Sequence, residues 1–104
     1  MTIKIVQNDN RPPLQFTITQ GGKAVDLTGA TVKFYMKETT AGTVKINGVA
    51  CALTVPAKGQ CQYNWAAGDT DTVGTYAGEV EVTFPDSTIQ TGYKQVTILI
   101  RDDI

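Results

Sequence analysis

Residues 69 to 84 read Asp-Thr-Asp-Thr-Val-Gly-Thr-Tyr-Ala-Gly-Glu-Val-Glu-Val-Thr-Phe, and this stretch decides the fold class. A turn rich in Asp and Thr leads into Gly74-Thr75-Tyr76. Strict alternation then places Tyr76, Gly78, Val80, Val82 and Phe84 on one face and Thr75, Glu79, Glu81 and Thr83 on the other. A period of two with one apolar side is a strand lying on a core with its second face in water. Gly-x-Tyr at the entry, just after carboxylates, is the pattern of a tyrosine corner, where a Tyr near the start of a late sandwich strand returns its hydroxyl to nearby backbone.

Outward from that strand the chain reads as further short strands between turn signals. Residues 2 to 6 form a first strand, ended by Asn8-Asp9-Asn10-Arg11-Pro12-Pro13, because adjacent prolines remove donors and disfavour helix. Leu14, Phe16 and Ile18 alternate with Gln15, Thr17 and Thr19 up to Gly21-Gly22, which predicts a strand over 14 to 20. Ala30, Val32, Phe34 and Met36 oppose Thr31, Lys33, Tyr35 and Lys37 in a strand over 30 to 38. Val49, Cys51, Leu53 and Val55 share a face, Pro56 to Gly59 turns the chain, and Cys61, Tyr63 and Trp65 share a face in return, so the two segments form a hairpin. A last strand, 93 to 101, points Val96, Ile98 and Ile100 inward and Thr97 and Arg101 outward. No stretch longer than a turn carries helical spacing, and turn signals recur about every 8 to 12 residues. The expected fold is therefore an all-β, immunoglobulin-like antiparallel sandwich, with a small barrel as the alternative.

At 104 residues the chain has room for one domain, 1 to 104, with no linker. Nine basic and ten acidic residues leave a net charge of −1, and the basic ones stand singly, so no stripe tracks a phosphate backbone and nucleic acid is not an expected partner. No apolar run approaches the roughly 20 residues of a membrane span, and the N-terminus lacks a signal-peptide core. The expectation is a soluble protein folded in the cytoplasm where it is made, without membrane insertion.

The residues offer little chemistry. The absence of His removes Ser-His and Cys-His nucleophile pairs and imidazole metal ligands. Glu79 and Glu81 share the wet face of one strand and read as a solvated surface that keeps sheet edges apart. Gly21-Gly22, Gly42, Gly48 and Gly59 read as turn glycines and not as a phosphate cradle, since no helix follows them. As an EF-hand loop starting at Asp69, Asp71 and Gly74 fall at the right places, but Val73 and Val80 stand where ligands are needed. The acidic residues are then turn formers, with a looser calcium site from Asp69 and Asp71 as the alternative. The two cysteines, Cys51 and Cys61, are expected as buried thiols, because the hairpin would set residue 51 opposite 64 or 65 and Gly78 occupies the position of the second antibody cysteine. Tyr63, Trp65 and Tyr76 lie on apolar faces and are expected in the core, whereas Tyr35 and Tyr93 stay open. No catalytic, cofactor-binding or metal residue is assigned.

Three groups of residues carry a resemblance to a known family. They are Val25-Asp26-Leu27-Thr28-Gly29-Ala30-Thr31-Val32-Lys33-Phe34; Gly59-Gln60-Cys61-Gln62-Tyr63-Asn64-Trp65 with Asp69-Thr70-Asp71 and Gly74-Thr75-Tyr76; and Glu79-Val80-Glu81-Val82 ahead of Thr88-Ile89-Gln90-Thr91. Together, over about residues 14 to 100, they resemble the N-terminal domain of phage baseplate upper proteins. The resemblance implies an immunoglobulin-like, non-enzymatic module of a phage or prophage particle, located in the tail or baseplate. It would contact other phage structural proteins, or itself, and attach receptor-binding or fibre components. In that family the domain begins a longer polypeptide, while here the sequence ends at Ile104, so a small tail, neck or head-decoration protein is one alternative expectation. A glycan-binding module that adheres to a bacterial surface is the other.

Overall fold

The computed structural model describes residues 2–102, and the side chains of all of these except 92–94. Two sheets face each other across a single apolar core. The larger contains β1 (Thr2–Val6), β5 (Thr31–Glu38), β6 (Val44–Ala50), β9 (Gly74–Thr83) and β10 (Ile89–Arg101), in the order β1-β10-β9-β5-β6. The smaller runs β2-β8-β7, from β2 (Leu14–Thr17), β8 (Gln60–Tyr63) and β7 (Ala52–Val55). A short ladder, β3 (Thr19–Gln20) with β4 (Lys23–Ala24), continues from β2. In immunoglobulin terms β2, β8 and β7 stand as strands B, E and D, and β10, β9, β5 and β6 as G, F, C and C′. The expected all-β sandwich is therefore the fold.

Inward side chains of the alternating strands form the core: Val32, Phe34 and Met36 from β5, Tyr76, Val80 and Val82 from β9, and Val96, Ile98 and Ile100 from β10. Phe34 is its hub, with ring centroids 5.8 Å from Phe16, 4.9 Å from Tyr63 and 6.5 Å from Trp65. A Cβ placed on Gly78 would lie 2.8 Å from atoms of both Phe34 and Ile98. The site of the antibody cysteine is thus filled by a neighbour's ring. The tyrosine corner is present, since the Tyr76 hydroxyl donates to the Thr72 carbonyl at 2.8 Å.

Four expectations need correction. The strand over 14 to 20 is broken at Ile18, whose N–H donates to Gly59 at 2.8 Å and whose carbonyl accepts from Val25 at 2.9 Å, so its backbone serves the neighbouring turns. The segment 49 to 55 is not one strand with one inward face. At Cys51 the chain leaves the larger sheet for the smaller, and Val49 and Val55 are 46% and 39% exposed. The hairpin register differs as well. Gln60 pairs with Val55, but Cys61 pairs with Leu53 and Gln62 with Ala52, so an irregularity at Thr54 takes up one residue and sets residue 51 level with 63. Lastly, β1 pairs parallel with β10, in a sandwich otherwise built from antiparallel pairs among the described residues. After β1 the chain crosses to the other sheet through Pro12 and Pro13 instead of folding back as a hairpin.

Candidate functional site

The structure first relocates the residues that the sequence brought forward. Asp69 accepts from the Tyr63 hydroxyl at 2.5 Å and from the Ala66 N–H at 2.8 Å, which makes it a brace for the loop after β8. Burial, followed by the bond to Asp69, pushes the Tyr63 phenol above its ordinary range. Asp71 pairs with Lys45, which holds its carboxyl below the usual range, and its backbone carbonyl accepts from Gln7 at 2.8 Å. Both carboxylates are engaged in turn and strand contacts, and among the described residues no three His, Cys, Asp or Glu converge on one point.

Tyr63 and Tyr76 are buried, and Trp65 is 7% exposed with its Nε1 donating to the Pro12 carbonyl at 3.1 Å. None of these rings is free to stack on a ligand. Cys61 is buried and Cys51 half-buried, both as free thiols. Burial pushes Cys51 up to about 12, with the neighbouring Cys61 adding to it, and Cys61 up to about 11. Neither is a reactive thiolate near neutrality. The side chain of Tyr93 lies outside the described residues.

What remains is surface, and its most shaped part is the outer face of the larger sheet. A hollow of about 640 Å³ opens there over β10, β9, β5 and β6. Register explains its position. One row across the sheet sets Gln95 opposite Glu79, Glu79 opposite Tyr35 and Tyr35 opposite Asn47. The next sets Thr97, Ala77, Lys37 and Val44 side by side, and the short Ala77 leaves the depression among longer neighbours. Glu79, expected on a solvated face, accepts from Gln95 Nε2 at 3.4 Å and lines this hollow. Glu81 accepts from the Tyr35 hydroxyl at 3.4 Å. Burial, followed by the charge of Glu81, raises the Tyr35 phenol. Sequence reasoning left Tyr35 open and missed Asn47, Ala77 and Gln95, because only the pairing of distant strands brings them together.

A second surface feature is the run from Val44 to Val55 along the border of both sheets. It exposes Val44 at 59% along with Val49 and Val55, and Lys45, its sole charged residue, is held by Asp71. The opposite border carries Lys4, Asp9, Arg11 and Pro12-Pro13, the residue types that guard sheet edges from chance pairing.

Comparison with known proteins sets this surface in context. The family described as BppU N-terminal domain matches residues 1–104, the whole chain. That family is a structural domain of the phage baseplate, which belongs to the virion tail. Among solved structures, the crystal structure of CopC from Methylosinus trichosporium OB3b is similar, with a TM-score of 0.57 and 11% identity over 99% of this chain and 86% of that one. At that identity the likeness is one of fold alone. No curated protein matches the sequence. No helix among the described residues is long and apolar enough to cross a membrane.

Proposed function

We propose, from the premise that this chain belongs to the BppU N-terminal domain family of phage baseplate upper proteins, that it is an immunoglobulin-like module attaching receptor-binding or fibre components to the phage tail. The single observation that carries this reading is the family match over the full length. The mechanism is adhesion between proteins through fixed surfaces. A two-sheet sandwich with a ring-packed core presents its borders and outer faces rigidly, so contacts form with little ordering cost.

The border from Val44 to Val55 fits a protein contact best. Its exposed valines, its lack of free charge and the guarded state of the opposite border are what an interface needs, since apolar surface is covered there without stranding a charge. Cross-linking of purified particles followed by mass spectrometry tests the reading. Cross-links from Lys37 or Lys45 to other baseplate proteins are expected. Recovery of the protein without any cross-link to a tail component would overturn it.

A further inference from the structure

The geometry points to a second binding site, the hollow on the outer face of the larger sheet, for a neutral saccharide of one or two sugar units. The inference rests on the tail reading above only for its biological setting, since the site is built from this chain alone. Its volume of about 640 Å³ lies within the range of roughly 300 to 1,000 Å³ of small-ligand pockets.

The lining selects the ligand class. Gln95 and Glu79, bonded to each other at 3.4 Å, stand in one row with Asn47, and their remaining amide and carboxylate donors and acceptors can meet hydroxyls, to which Thr97 adds a hydroxyl in the next row. Lys37 and Glu79 leave the lining without net charge, so nothing favours an anion or a cation. A polyhydroxylated neutral molecule satisfies such a set; a hydrocarbon would strand it.

Tyr35 supplies the aromatic side of the lining. Gly48 in β6 has φ +73°, and a Cβ added to it would lie 2.9 Å from the Tyr35 hydroxyl oxygen and 3.0 Å from Cζ. The glycine that this positive φ favours leaves room for the Tyr35 ring to settle over the backbone there. Glu81 then holds the hydroxyl at 3.4 Å. These contacts restrain the ring beside the hollow, and a sugar's C–H face can stack on a ring so placed at a reduced ordering cost.

Repetition of the protein on one particle would raise the avidity of such a site. The test is NMR of isotope-labelled protein titrated with neutral gluco-, galacto- and N-acetylhexosamine disaccharides. Saturable shifts of the Ala77, Gly78, Gln95 and Thr97 amides are expected with at least one of them. Tyr35→Ala should weaken that binding about tenfold or more. Ala77→Arg, on the solvent side of the sheet, should abolish it with the fold intact by circular dichroism. No saturable shift with any disaccharide, shifts confined to another face, or binding that survives Ala77→Arg would each overturn the proposal. All of these are read on the isolated protein, so they leave the tail reading to its own test.

Discussion

Replacing Trp65 by Ala probes the core from its most telling member. The indole is 7% exposed, meets the Tyr63 ring edge-on at 5.5 Å and the Phe34 ring edge-on at 6.5 Å, and donates to the Pro12 carbonyl at 3.1 Å. Truncating a buried aromatic to Ala costs about 3 to 5 kcal/mol through lost transfer energy and the cavity left behind. Against a total of about 5 to 15 kcal/mol for a domain, that brings the protein close to its unfolding threshold. The hydrogen bond is the smaller part, worth about 0.5 to 1.5 kcal/mol, so Trp65→Phe, which keeps most of the buried ring, should lose only about 1 to 2 kcal/mol. Urea unfolding must be followed by far-UV circular dichroism, because Trp65 is the single tryptophan and the variant has no indole signal. A loss below about 1 kcal/mol for Trp65→Ala, with an unchanged urea slope, would refute the placement of this ring in the core.

Three other perturbations follow from the packing. Gly78→Ala puts a methyl 2.8 Å from atoms of Phe34 and Ile98, and should cost about 1 to 3 kcal/mol in urea unfolding; a neutral result would mean that the Phe34 ring does not fill that space. Tyr76→Phe removes the 2.8 Å bond to the Thr72 carbonyl and should cost about 0.5 to 1.5 kcal/mol by the same assay, with the fold retained. The thiols give a pH dependence. Folded Cys51 and Cys61 ionise at about 12 and about 11 in place of the ordinary 9.0, so the unfolded chain loses these protons first as pH rises. Their contribution to stability is whole below about 9 and lost between there and about 12. The urea midpoint should fall over that window, and fall less steeply in Cys51→Ala/Cys61→Ala; parallel curves for the two proteins would contradict the burial of the thiols.

Legibility in the sequence follows local regularity. The strand entered at Gly74 is readable because its apolar period of two runs unbroken from Tyr76 to Val82, and the same holds for Val32 to Met36 and Val96 to Ile100. The strand from Val44 to Ala50 is not readable. Its register against β5 slips twice and its Gly48 has positive φ, so Ile46 is buried while Val44 and Val49 are exposed, with no fixed period between them. The passage between sheets at Cys51 likewise leaves no local mark, since apolar residues continue on both sides of it. Burial of Tyr63, Trp65 and Tyr76 could be read from their faces, whereas the hollow could not. Its polar row draws on residues 35, 47, 79 and 95, and only the order of the strands brings them level.

The most direct measurement is gold-labelled antibody against the protein on phage particles, viewed by negative-stain electron microscopy. A baseplate module predicts label at the tail tip. Label on the head would contradict attachment in favour of decoration, and particles free of label would contradict a place in the virion.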